Sequence, residues 1–147
     1  MAAAVFAPGG SAPFLTMFQT YSDAYHVARQ RPGTSIIHVT RSAVAFTTVA
    51  DVERHFGALA TALEGLDRKR YDLLLDIRLA VGRNDPEFEH AIEPYRVRMQ
   101  RGFRRIAVVL NSIAGQLQIK RLALKDGVVV HTFPDEEIAL EWLVQTA

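Results

Sequence analysis

Asp76, Arg78, Arg83, Asn84 and Asp85 crowd into a short stretch directly after three consecutive leucines, Leu73, Leu74 and Leu75. Two arginines beside a helix start can hold a phosphate or a carboxylate, through bidentate bonds and backbone N–H groups. The plainer alternative is that Asp76 and Arg78 pair with each other while Asn84 and Asp85 only cap a helix. A second group, Ser112, Gly115 and Arg121, follows the apolar run Ile106 to Leu110. A small, polar helix start there leaves backbone N–H groups approachable, so the two loops can form one anion or ligand crevice. The glycine spacing fits no phosphate-loop or dinucleotide motif, and helix capping explains it equally well.

Catalytic and metal signals are sparse. Glu87 and His90 lie three apart, with Glu93 three further on, but a carboxylate-bridged pair of metals needs a second such motif. His26, His38, His55 and His131 show no ligand spacing, and the chain contains no cysteine. No Gly-x-Ser-x-Gly elbow occurs. A phosphoacceptor receiver needs an acidic pair after its first strand, where this chain has Thr40, Arg41 and Ser42. The expectation is therefore no cofactor, no metal and no enzyme. An enzyme built on Asp76 and Arg78 is the weakest of three classes considered.

Charge is unevenly spread along a chain whose formal net charge is only +1. Arg96, Arg98, Arg101, Arg104, Arg105, Lys120, Arg121 and Lys125 fall in a stretch without any acid, while residues 51–93 hold ten acids and six bases. A basic face can meet an acidic partner, a second copy or a nucleic-acid backbone, although solvated helix surface is the plainer account. Tyr95 and Phe103 sit among these arginines, but helical spacing turns them toward a core rather than a stacking platform.

The elements that must position these groups follow from periodicity. Leu73 to Leu75 reads as a strand covered on both faces, which places the loop after Asp76 at a strand's carboxyl end, where α/β folds gather their ligands. The alternation of Tyr21, Asp23, Tyr25 and Val27 predicts an edge strand, and residues 35–40 predict its neighbour, with residues 43–46 as an extension. Val52, Phe56, Leu59, Leu63 and Leu66 form an amphipathic stripe, opened by Thr47 or Thr48. Asp85 and Pro86 open the next helix, which Pro94 is expected to kink or split and Gly102 to end. A third helix carries Ile113, Leu117, Leu122 and Leu124. Asp126 and Gly127 form a turn into a strand over 128–133. Pro134 and three acids open a last helix held by Ile138, Ala139, Trp142 and Leu143.

The order is β-β-α-β-α-β-α-β-α, which implies a mostly parallel α/β sheet of four to five strands with an antiparallel edge hairpin and about four helices. At 147 residues, with 49% hydrophobic and 22% charged content, one globular domain over 14–147 is expected, with residues 1–13 as an Ala/Gly/Pro-rich tail. No run approaches the ~20 apolar residues of a membrane span. The first residues lack the pattern of a secretory signal, and the absence of cysteine suits a reducing compartment, so a cytoplasmic protein is expected.

The strand Leu73-Leu-Leu-Asp-Ile-Arg78 and the terminal Phe133-Pro-Asp-Glu-Glu-Ile-Ala-Leu-Glu-Trp-Leu143 resemble the SpoIIAA-like branch of the STAS family, over roughly residues 35–143. The resemblance implies a small, mostly non-enzymatic α/β module. Members of the anti-sigma antagonist type carry a phosphorylatable Ser or Thr after the strand matched by Leu73 to Asp76. Here residues 77–85 contain neither, so the phospho-switch is not expected. The leading expectation is a regulatory or protein-interaction module, or a homodimer, acting through the 76–85 loop. The competing expectation is a binder of a small lipid-like or anionic ligand, held between helices and sheet. A nucleic-acid partner is not expected.

Overall fold

A computed structural model describes residues 21–80 and 85–145. Its elements are β1 (Tyr21–Ser22), β2 (His26–Gln30), β3 (Ile36–Arg41), α1 (Val49–Glu64), a short 3-10 turn (Arg68–Arg70), β4 (Asp72–Asp76), α2 (Pro86–Gln100), β5 (Ile106–Val109), α3 (Ile113–Asp126), β6 (His131–Phe133) and α4 (Glu136–Gln145). They form a six-stranded sheet in the order β1-β2-β3-β4-β5-β6. The first two pairings are antiparallel and the other three parallel. The alternating β-α order thus yields the mostly parallel sheet it predicts, with one strand more at the edge. The expected tail over 1–13 lies outside the described residues.

Period-two alternation divides the sheet's apolar residues between two layers. Ile37, Val39, Leu73, Leu75, Ile106 and Val108 face α1, α2 and α3, where Leu59, Leu63, Met99 and Phe103 meet them. Ile36, Leu74, Ala107 and Val109 face Ala139 and Leu143 of α4. Both faces of β4 and β5 are covered, which is why their sequences are unbroken apolar runs.

The edge departs from expectation. Asp23 Oδ1 accepts hydrogen bonds from the backbone N–H groups of Tyr25 and His26, at 2.7 and 2.8 Å. This side-chain turn breaks the predicted strand in two and shifts its register. His26 and Ala28 therefore point into the core, and Val27 is left largely exposed. Residues 43–46 are not strand: Ser42 Oγ donates to the Ala24 carbonyl and accepts from Val44 N–H, which turns the chain away from the sheet.

Helix ends follow local chemistry more closely. Thr48 caps α1 by accepting from Asp51 N–H at 3.0 Å, and Ser112 caps α3 by accepting from Gly115 N–H at 2.9 Å. Gly127, at φ 72°, closes α3 in the left-handed conformation. In the last helix Asp135 caps, through Ile138 N–H at 2.9 Å, so Pro134 precedes the cap instead of taking the first helical position. Ile138 consequently faces solvent instead of packing.

Two helices correct their sequence readings. α2 is not split at Pro94 but continues as one helix packed on α1, with Tyr95 lying against Gly57. Packing outweighs the lost backbone bond. In α3 only Leu122 of the four expected apolar residues is buried. Ile113, Leu117 and Leu124 are 77%, 63% and 85% exposed and share one outward face. Ile119 and Ala123 supply the inward face instead.

Candidate functional site

The strand alternation that builds the core also divides the predicted loop residues. Asp76 shares the α4 face with Leu74, directly beside Thr40 of β3, and is itself buried. Arg78 folds back on it, with Nε to Oδ1 at 3.0 Å and Nη2 to Oδ2 at 2.7 Å, while Arg78 N–H also donates to Oδ1. Burial works to raise the Asp76 carboxyl, but the hydrogen bonds and charge of Arg78 hold it below the ordinary carboxylate range. The plainer of the two sequence readings therefore holds for this pair.

Three further groups join them. Glu136, at the start of α4, lies 3.6 Å from Arg78, 3.5 Å from Arg31 and 3.9 Å from His38 Nε2. His38, Asp76 and Glu136 come from three separate elements, so no sequence spacing betrays them. Their ligand atoms lie within 4.8 Å of one another, a geometry able to hold a divalent cation. Two guanidiniums already occupy that space: Arg78 is bidentate on Asp76, and Arg31 lies 3.4 Å from His38 Nδ1. A metal would have to displace both, so the cluster reads as an ion network bracing α4 against the sheet. Burial and the nearby Arg31 and Arg29 lower the His38 pKa against the opposing pull of Glu136 and Asp76.

On the opposite face, Arg78, Ser112 and Gly115 do meet across one crevice, together with Ile77, Leu110 and Asn111. The two loops are thus neighbours, as a parallel β4–β5 pair requires. Gly115 is there for space. A Cβ would stand 2.8 Å from Ser112 Oγ and 2.9 Å from Leu110 Cδ1. Gly115→Ala should lower stability by about 1–2 kcal/mol in chemical denaturation, because overpacking and the strained cap outweigh the roughly 1 kcal/mol helix gain. A stabilised variant would show that the close approach is not needed. Asp85 is the N-cap residue of α2, its carbonyl accepting from Glu89 N–H at 3.0 Å. Arg121 is exposed on α3 and only 3.9 Å from Glu89, away from the crevice. Arg83 and Asn84 lie outside the described residues.

A more apolar feature adjoins the crevice and was not anticipated residue by residue. A cavity of about 280 Å³ opens between the sheet and helices α1, α2 and α3. Phe46, Phe56, Leu75, Phe88, Ile92, Met99, Ile119 and Leu122 make most of its wall. Gln100, Glu89 and Gln118 add polar atoms, as do His26 and Arg41, which face each other directly in the β2–β3 register. His26 and Arg41 are 2% and 7% exposed. Burial, helped by the nearby Arg41, lowers the His26 pKa to about 4, so the ring is neutral at physiological pH. Its Nδ1 is buried without a hydrogen-bond partner. The signal in the sequence was slight: a His and an Arg in strand contexts at the sheet edge, the His turned to the wrong face by the alternation of Tyr21, Asp23, Tyr25 and Val27.

The charge asymmetry resolves within the chain. Arg96 pairs with Asp126, Arg98 with Glu64, Arg104 and Arg105 with Asp72, Arg121 with Glu89, and Lys125 with Glu93. Six of the eight basic residues are thus matched by acids of neighbouring elements.

Taken together, the mixed sheet with its antiparallel edge, the three helices on one face and α4 on the other define a SpoIIAA-like α/β fold. The chain is similar to the crystal structure of an uncharacterized protein of the DUF3478 family, with a SpoIIAA-like fold, from Shewanella loihica PV-4. The TM-score is 0.61 at 17% sequence identity, over 84% of this chain and 98% of that one. At that identity the likeness carries the fold. No protein-family model and no curated protein sequence matches the chain.

Proposed function

We propose that this protein is a non-catalytic binding module whose ligand is a small, mainly apolar molecule held between α1–α3 and the sheet. One observation carries the reading: an apolar cavity of about 280 Å³ with a few convergent polar groups, close to the size at which small-molecule sites begin. Asp76 and Arg78, the pair an enzyme would have used, are committed to each other, which favours recognition over chemistry. No described helix is long and apolar enough to cross a membrane.

A regulatory protein-interaction role is the second reading, and the outward stripe of Ile113, Leu117 and Leu124 on α3 favours it. Native mass spectrometry of the purified protein tests both at once. The ligand reading expects a stoichiometric small-molecule adduct that denaturation releases. An adduct-free dimer that persists at high ionic strength would support the interaction reading in its place.

A further inference from the structure

Among the described residues Arg41 is a buried cation without an ion pair, although the charge of Asp23 acts on it from a distance. Its side chain lies under Phe46 and Tyr25, with the guanidinium carbon 4.7 and 5.7 Å from the two ring centres. Nη1 donates to the Ser42 carbonyl at 2.7 Å and approaches the Ser42 hydroxyl at 3.4 Å. Nε and Nη2 donate to no described residue. No carboxylate of the described residues lies within ion-pair distance. The nearby acid, Asp23, is already engaged by Tyr21, His55 and two backbone N–H groups. Burying an unpaired charge is costly, and proteins ordinarily pair such groups or keep them in water. Burial accordingly drags the Arg41 pKa down from its usual value. His26 lines the same cavity, and its Nδ1 is buried without a hydrogen-bond partner among the described residues.

Resting on the cavity reading above, we infer that the ligand is a compact amphiphile with a single carboxylate head, bound bidentately by the Nε–Nη2 edge of Arg41 and hydrogen-bonded by His26. Its apolar body lies along Phe56, Phe88, Ile92 and Met99. The geometry of the fork selects a planar, two-oxygen acceptor. The charge count selects a monoanion: Arg41 contributes one positive charge, Arg96 on the same wall is neutralised by Asp126, and the neutral His26 contributes none. A doubly charged phosphate monoester would bring a surplus negative charge into an apolar space. Glu89, on the same wall, adds repulsion against a second acidic group unless Arg121 and Gln118, which it contacts, screen it.

Calorimetric titration of the full chain with octanoate and with 1-octanol, equal in chain length, separates the terms. Wild-type protein should bind octanoate at least tenfold more tightly than 1-octanol. Arg41→Met, which keeps the volume and removes the charge, should erase that preference by weakening octanoate while leaving 1-octanol nearly unchanged. Equal binding of the two by wild-type protein would overturn the carboxylate assignment and leave the cavity reading standing. Binding of neither would overturn both. If Arg41→Met fails to fold, the wild-type comparison still decides. The imidazole resonances of His26 provide an independent check, since they should shift with octanoate and stay in place when the ligand binds elsewhere.

Discussion

Replacing Asp126 by Ala should destabilise the protein by about 3–5 kcal/mol, seen as a lower denaturant midpoint and a melting temperature down by roughly 10 °C. The Asp126 side chain is 1% exposed and Arg96 opposite it is 13% exposed. They meet in a bidentate pair of 2.6 and 3.0 Å that joins α3 to α2. Removing the carboxylate leaves the guanidinium buried and uncompensated, which costs far more than the net worth of the pair. The position itself argues for this role. An acid in the last turn of a helix opposes the macrodipole, so Asp126 sits there at some local cost. Replacing both partners by apolar residues, Arg96→Met with Asp126→Leu, should recover most of the loss. If the double variant is as unstable as the single one, charge burial is not the cause.

Lowering the pH from about 6.5 to about 4 should remove up to about 3 kcal/mol of stability through His26 alone. Burial, then the neighbouring Arg41 charge, depress its folded pKa to about 4 against an ordinary 6.5. Between those values the unfolded chain takes up a proton that the folded chain refuses, so the unfolded state gains and stability falls with falling pH. Above 6.5 both states are neutral at this site and the effect is flat. His38, shifted in the same direction by burial, adds to the fall below about pH 6.5. Asp23 and Asp76, held below their ordinary values, contribute separately, and their contribution is lost only below about pH 4. Denaturation curves collected across the window measure the slope. His26→Gln should flatten it, and an unchanged slope in that variant would assign the acid sensitivity elsewhere.

Both expectations concern residues that a reading of the chain could name but not place. Asp126 was legible as half of a turn, and the turn is real, since Gly127 closes α3 in the left-handed conformation. Its ion pair with a residue 30 positions earlier was not legible. Capping was well marked, because a cap depends on side chains within three residues of the N–H they serve: Thr48 and Ser112 both lie where the sequence put them. The stripe of Val52, Leu59 and Leu63 was equally plain. By contrast, Ile113, Leu117 and Leu124 carry a helical period with the wrong face turned outward. Periodicity says that two faces differ, and only the neighbours present decide which one is covered.

What the sequence determined by itself is the succession of elements, their caps and the apolar strands at the centre, and with these the SpoIIAA-like α/β class. The local code is strong there because each choice is settled within a few residues by hydrogen bonding, side-chain alternation or a proline or glycine backbone. Tertiary structure alone decided the rest. The Asp23 turn shifted β2 by one face and sent His26 inward, beside Arg41 of β3. β4 split Asp76 from the crevice it was expected to line. The basic stretch found its acids on other elements. Each of these outcomes depends on register and on contacts between distant segments, where a one-residue slip reverses every side chain. No local pattern announces the cavity beneath the helices, with a buried arginine at one end, because its lining comes from strands and helices far apart in the chain.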